Sequence, residues 1–298
     1  MKSKESSFRI IDALLLILTC LPFLCGIVLY IMFTPVSDDI EISGARIYFT
    51  INMPFQNLPI TESQVNSWLV IIAIFFLCLF MTHGLSATQP TRRQHILEMI
   101  VEATENLVLD NMGEYFRDFA PFVGAVMGLS VFSSLLTLIG LYPPTSDFNV
   151  VFGWALLVFI LITHYKMKCG PVHYLKSFGD PVPFLAPLNV ISEVATPISM
   201  AFRHYGNVLS GTVISLLVAT GLQGLTKMIL GNISGFFGEF PFLQIGIPAL
   251  LSVYFDIFSG CLQAFIFAML TMLYISNGFP ADDYRERQNK KGFKLQEN

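Results

Sequence analysis

Six stretches of the chain are apolar for long enough, or nearly so, to cross a bilayer: Ile10–Phe33, Trp68–Leu85, Ala120–Leu141, Asn149–Tyr165, Leu188–Leu222 and Ile245–Ser276. Each predicts a membrane helix. The loop "YPPTSDFN" between the third and fourth runs is so short that these two form a tight antiparallel hairpin. The fifth run would measure roughly 52 Å if helical throughout, against a hydrocarbon layer of about 30 Å. It must tilt, bend or lie partly in the membrane plane, and Pro197 offers one place for a bend. The sixth run is also long, roughly 48 Å, with Pro248 near its outer end.

Two further patterns lie between the runs. From Gln94 to Phe119, Leu97, Ile100, Val101, Leu107, Val108, Met112, Tyr115 and Phe119 recur at helical spacing, with Glu98, Glu102, Glu105 and Glu114 on the other face. This is an amphipathic helix too polar to span, which lies along the cytoplasmic surface or docks on a partner. In "IEISGARIYFTI" a Ser-Gly turn signal separates two short β-prone runs, which predicts a small extracellular hairpin.

Composition agrees with the pattern: 54% hydrophobic residues, 13% charged residues and a mean hydropathy of +0.64 exclude an ordinary soluble domain. Lys2, Lys4 and Arg9 before the first run also fit a cleavable signal peptide, but the run is longer than a signal core and has no A-x-A site, which favours a retained span. Fourteen of the 17 Lys and Arg residues fall on one side of a six-span chain, with only Arg46 and Lys227 on the other and Arg203 within a span. Both termini are therefore expected in the cytoplasm. The net charge of -4 arises from acidic residues scattered over loops and gives no reason to expect nucleic acid. The five cysteines form no C-x-x-C pair, and four of them fall in spans, where they read as small buried apolar residues.

Chemistry concentrates in the last two spans. Arg203 sits more than ten residues from either end of the fifth run, where an arginine costs about 2.5–3.5 kcal/mol on insertion scales and normally faces protein or water. Helical stepping from Arg203 gives Ser192, Thr196, Ser199, Asn207 and Ser210, flanked by Gly206 and Gly211. On the sixth run the same stepping gives Ser252, Asp256, Ser259, Gln263 and Phe267. The plain alternative is a structural ion pair between Arg203 and Asp256. Glu193 lies near a span end and could simply be solvated. His204 points about 100° away from Arg203, with packing and function both open. No nucleotide-binding loop, H-E-x-x-H zinc motif or G-x-S-x-G turn is present, so any ATP is bound by another subunit.

"PISMAFRHYGN", the last-span segment "LQAFIFAMLTMLYIS" and "YPPTSDFNVVFGWALLVFI" with its P-T-S-D-x-N loop together resemble subunit a of F-type ATP synthases, over about Pro59 to Gly278. The resemblance implies an all-α membrane protein with two long tilted helices facing a rotor ring and a surface amphipathic helix. Residues 1–58 would form an N-terminal span and extracellular segment, 59–278 the subunit a domain and 279–298 a basic cytoplasmic tail. It also implies a non-catalytic subunit without cofactor or metal in a multi-pass bacterial plasma-membrane complex. Its partners would be the rotor c-ring, the peripheral-stalk subunit b, membrane lipid and the translocated H⁺ or Na⁺. By the same resemblance Arg203 matches the essential stator arginine, Asn207 the asparagine one turn on and Gln263 the glutamine of the last span. Where the best-known members have a Glu–His pair, this chain has Thr212 and Asp256. The implied outer half-channel is lined by Asp256, Gln263, Asn207 and Thr212, and the cytoplasmic one opens near Glu193 and Ser192. A secondary transporter with a substrate site at Arg203 and Asp256 is the rival reading, but the two halves of the chain show no internal repeat.

Overall fold

The structure is a computed structural model that describes residues 10–33, 44–54, 56–86, 90–168, 174, 178, 183–230, 246–247, 250–251 and 253–279. Its main elements are α1 (Ile10–Phe33), β1 (Ile47–Ile51), β2 (Leu58–Thr61), α2 (Glu62–Thr82), α3 (Arg92–Met112), α4 (Ala120–Leu135), α5 (Phe148–Lys168), α6 (Ala186–Leu230) and α7 (Gly260–Gly278). A π-helical segment, Val253–Ser259, leads directly into α7. Among the described residues six helical segments are long and apolar enough to cross a membrane: Ile10–Phe33, Glu62–Thr82, Glu114–Ile139, Phe148–Lys168, Ala186–Thr226 and Val253–Gly278. The chain is an all-α membrane protein carrying one small hairpin.

Several boundaries differ from the sequence pattern for physical reasons. The second span starts at Glu62 rather than Trp68, because Glu62, Ser63 and Asn66 in its first turns are buried against protein and a hydropathy window cannot count them. The fifth helix is one element of 45 residues with Pro197 inside it. The amphipathic helix does not reach Phe119. Gly113, at φ 81, ends α3, and Glu114–Phe119 continue as a 3-10 turn. The first run of the hairpin expected about Ser43 and Gly44 lies outside the described residues. β1 pairs antiparallel with β2, Phe49 opposite Ile60 and Ile51 opposite Leu58. Cys20, Cys25, Cys78 and Cys261 are exposed on helix surfaces, contrary to their reading as buried, and Cys169 lies outside the described residues. A thiol is apolar enough to face lipid.

The chain divides into two compact units. The first comprises Met1–Leu97, Gly128–Val151 and Arg203–Ala264. Its core is Val70, Leu136 and Leu141, covered by Phe23, Ile27 and Tyr30 of α1 and by Ile74, Leu129 and Phe132. α1 approaches closely at Gly26, where a Cβ would stand 3.1 Å from Leu141 Cδ1 and 3.2 Å from Leu69 Cδ1. The other end of α1 is tied electrostatically. Asp12, 5% exposed, accepts a hydrogen bond from Arg93 Nη1 at 3.0 Å, and His83 Nδ1 lies 3.2 Å from the same oxygen. Arg93 also donates to the His83 carbonyl and lies over the Phe80 ring at 4.9 Å. The anion at the head of an apolar span is thus fully engaged by protein.

The second unit comprises Glu98–Met127, Phe152–Phe202 and Phe265–Asn298. Val108 and Met112 of α3 are buried, as are Ala155, Val158 and Ile162 of α5 and Phe267, Met272 and Ile275 of α7. An aromatic cluster closes it. Phe279 stacks on Tyr115 at 4.9 Å, and Phe116 meets both Tyr165 and Phe279 edge-on.

Removing Asp12 would leave Arg93 partly buried without its anion. Asp12→Ala should destabilise the α1–α2 contact by about 3 kcal/mol, whereas Asp12→Glu recovers part of it. Thermal melting of the detergent-purified protein checks this, and an unchanged midpoint for the alanine variant would refute the role given to the pair.

Candidate functional site

α6 supplies Arg203, and the local sequence explains why the helix holds it there. Small residues at Gly206, Ser210 and Gly211 keep the surrounding surface low, while Val208, Leu209 and Val213 give the helix its apolar body. The polar stripe expected along this helix divides into two edges. Arg203 and Ser210 stay exposed, whereas His204, Asn207 and Gly211 turn toward the protein. At about 100° per residue the inward positions lie 40–100° from Arg203, so they share its side of the helix without sharing its exposure.

The inward edge packs on the last span. Ser259 Oγ donates to Asn207 Oδ1 at 2.9 Å, and Asn207 Nδ2 donates back to the Ser259 carbonyl at 3.3 Å. Gly211 sits against Phe255, where a Cβ would stand 3.0 Å from the ring-bearing carbon. His204 is 1% exposed with Nε2 3.3 Å from Ser130 Oγ of α4, so it is packed inside the protein. Gly260 completes the junction. A Cβ there would lie 2.6 Å from Ser134 Cβ, so α4 and the start of α7 meet almost backbone to side chain.

The remaining expected residues are distributed as follows. Gln263 is 5% exposed and Asp256 half-buried within the π segment. That segment replaces the regular α stepping from Asp256 to Gln263, so the two do not fall on one straight α-helical stripe. Ser252 lies outside the described residues. Thr212 is exposed and donates to the Val208 carbonyl at 3.1 Å. Among the described residues no ion pair joins Arg203 to Asp256 or to any other carboxylate. The plain structural reading of the two charges is not what the chain adopts.

Ser192 and Glu193 sit in the second unit, at a cavity of about 190 Å³. Phe159, Lys166, Asn189, Thr196 and Tyr274 also line it. Glu193 is not simply solvated. Lys166 Nζ lies 2.8 Å from its Oε1 and the Tyr174 hydroxyl donates to the same oxygen at 3.1 Å. Burial, followed by the Glu193 charge, pushes the Tyr174 phenol up from its ordinary pKa.

Known proteins now bear on this arrangement. Residues 64–276 match the family model described as ATP synthase A chain. The chain belongs to that family. It is 29% identical over 232 residues to "ATP synthase subunit a" of Legionella pneumophila, covering 77% of this chain and 91% of that one. It is 32% identical over 219 residues to "ATP synthase subunit a" of Trichlorobacter lovleyi, covering 72% and 85%. A third relative, "ATP synthase subunit a 1" of Crocosphaera subtropica, is 30% identical over 227 residues, covering 75% and 89%. Subunit a is the ion-translocating stator component of its synthase, and this chain is a multi-pass member of that family.

Sequence reasoning missed part of the support for the site. Ser130, Ser133 and Ser134 of α4 are 0%, 2% and 6% exposed, and two of them touch His204 or the Gly260 backbone position. Their i, i+3, i+4 spacing in "SVFSS" was a readable sign of a polar helix face in an apolar span.

The close approach at Gly260 makes a contrast measurable. Gly260→Ala should lose roughly 1–3 kcal/mol through overpacking against Ser134. Gly128→Ala, where a Cβ meets nothing within 4 Å, should be neutral. Paired thermal melts decide it, and equal midpoints would refute the tight junction.

Proposed function

We propose that Arg203 is the stator cation that couples passage of H⁺ or Na⁺ to rotation of a c-ring. One observation carries the reading: Arg203 is exposed on α6 and, among the described residues, forms no ion pair. Phe202, Leu209 and Ile214 around it are exposed too, as a surface facing lipid or another apolar subunit would be. A guanidinium in such a place requires an anion, and here that anion comes from outside the chain.

The chemistry follows. A rotor carboxyl crosses lipid only when neutralised by a proton or a bound sodium ion. Beside Arg203 the charged form is favoured, so the ion departs. Lysine could lose its proton in this setting, whereas arginine does not. The permanent charge also blocks a direct leak between the two access paths. Asn207, Thr212, Asp256 and Gln263 line the outer path, with the Asn207–Ser259 bonds holding the two walls together. Ser192 and Glu193 open the cytoplasmic path at their cavity, with Lys166 holding Glu193 in position. Each elementary charge crossing 100 mV releases about 2.3 kcal/mol, so several ions are needed per ATP.

In this reading residues 59–278 form the stator domain, flanked by the segment 1–58 and the tail 279–298. The chain is non-catalytic, lies in a bacterial plasma membrane with both termini cytoplasmic, and meets the c-ring and the peripheral-stalk subunit b. The transporter alternative lacks the internal repeat it needs, and the family of the chain does not favour it.

ATP-driven ion uptake by inverted vesicles tests the proposal. Arg203→Ala should abolish uptake with and without sodium while ATP hydrolysis by the detached catalytic head survives. Undiminished uptake would overturn the assignment.

A further inference from the structure

A second set of titratable groups lies in the first unit, centred on the start of α2. Glu62, the first residue of α2, is 2% exposed, and its Oε1 has no hydrogen-bond partner. The same holds for Thr145, 0% exposed, whose Oγ1 is also unpartnered. α2 packs on the Pro144–Ser146 turn, so the elements that carry the two oxygens are in contact.

The surroundings are dense in polar groups from three elements. The Arg46 guanidinium and the backbone of Arg46 and Tyr142 face the Glu62 carboxyl. Ser63 Oγ donates to Asp147 Oδ2 at 2.5 Å, and Asn66 Nδ2 to the Tyr142 carbonyl at 2.8 Å. The Tyr142 hydroxyl donates to the Ser146 carbonyl at 3.2 Å, and its phenol also interacts with Asp147, Tyr205 and Glu62. Tyr205 is two residues along α6 from Arg203 and meets Phe148 edge-on at 5.6 Å. Tyr48 of β1 is influenced by Glu62, Arg46 and Tyr30. Two phenols in this set stay protonated at every physiological pH. Burial, with the Glu62 charge next, pushes Tyr48 up to about 12, and burial, then Asp147, Tyr205 and Glu62, pushes Tyr142 up.

A buried carboxyl with one oxygen held by neighbours and the other open is costly as a purely structural device, because the open oxygen forfeits its hydration without replacement. It suits a group that repeatedly takes up and gives away a cation. The set also lies on the side of the membrane opposite the basic loops, which is the side the ion leaves first during synthesis. The chain has Thr212 where the better-known family pattern has a carboxylate, so a path served by Asp256 alone gains from another acidic stage.

We infer that Glu62, with Thr145 and Asp147 beside it, is a relay carboxyl where the translocated ion first leaves outside water on its way toward Arg203. The inference rests on the half-channel reading above. For a proton the step is an exchange of O–H bonds: the Glu62 carboxylate gains a proton from water or hydronium outside and yields it to the next acceptor inward. The rival is a structural contact in which Arg46 and Glu62 tie the hairpin to α2.

Complete synthase in proteoliposomes, with pH and sodium varied on the hairpin face, separates these. Glu62→Gln should lower ATP-driven uptake, and passive conduction after removal of the catalytic head, by about tenfold or more. The composition of the purified complex should be unchanged. Glu62→Asp should restore most of the flux but shift its dependence on the pH or sodium of that face, which a structural tie would not do. Native flux with an unshifted profile in Glu62→Gln overturns the inference. If that variant fails to assemble, an unshifted Glu62→Asp profile overturns it instead. Arg203→Ala is run in parallel for ATP-driven uptake: if its uptake is undiminished, the stator reading has failed, and if it takes up no ion while Glu62→Gln does so at the native rate, only the relay assignment falls.

Discussion

A guanidinium keeps its charge at any pH a cell can reach, and hydrocarbon cannot solvate it. Everything around Arg203 is arranged under that constraint. Two other pairs of charges at the spans are joined within the chain: Asp12 with Arg93, and Glu193 with Lys166. Arg203 alone among these positions is left facing outward on a surface of Phe202, Leu209 and Ser210. Neighbours that could have served as partners are turned the other way, His204 toward Ser130 and Asn207 toward Ser259. The fold thus spends its polar contacts on fixing α6 and leaves the cation available.

Much of this was readable in the sequence. Six spans, the short loop between α4 and α5, and the prominence of Arg203 follow from hydropathy and from the cost of charge in a bilayer, which are local properties of the chain. What was not readable depends on contacts between distant segments. The polar first turn of α2 is helical because Ser63 and Asn66 find partners at Asp147 and at the Tyr142 carbonyl, some 80 residues away. The pairing of β1 with β2 likewise depends on contacts that a Ser-Gly turn signal does not report. Gly113 could have been read as a break, but a single glycine inside an amphipathic pattern is also tolerated, so periodicity alone carried the helix through it.

The candidate site shows the same division. Arg203, Asn207 and Gln263 stood out by residue type in an apolar context. The two-way Asn207–Ser259 bond and the π turn containing Asp256 are properties of helix against helix. A π turn inserts an extra residue into the ladder of hydrogen bonds, and here it lies where Phe255 packs on Gly211 and Gly260 on Ser134. Ser130 and Ser134 could have been flagged by spacing, yet nothing in one sequence says which of many small residues in spans face protein.

Three glycines, at 26, 211 and 260, bring helices together where even a methyl group would collide or crowd. Separations fixed by long side chains can flex as rotamers change, but at Gly211 and Gly260 the facing atom is a Cβ, which no rotamer change moves. In a machine the equivalent is a bearing clearance, a gap that must neither open under load nor seize. The surface that carries Arg203 is therefore gauged by its scaffold, and it should keep its dimensions when the thickness or fluidity of the surrounding lipid alters.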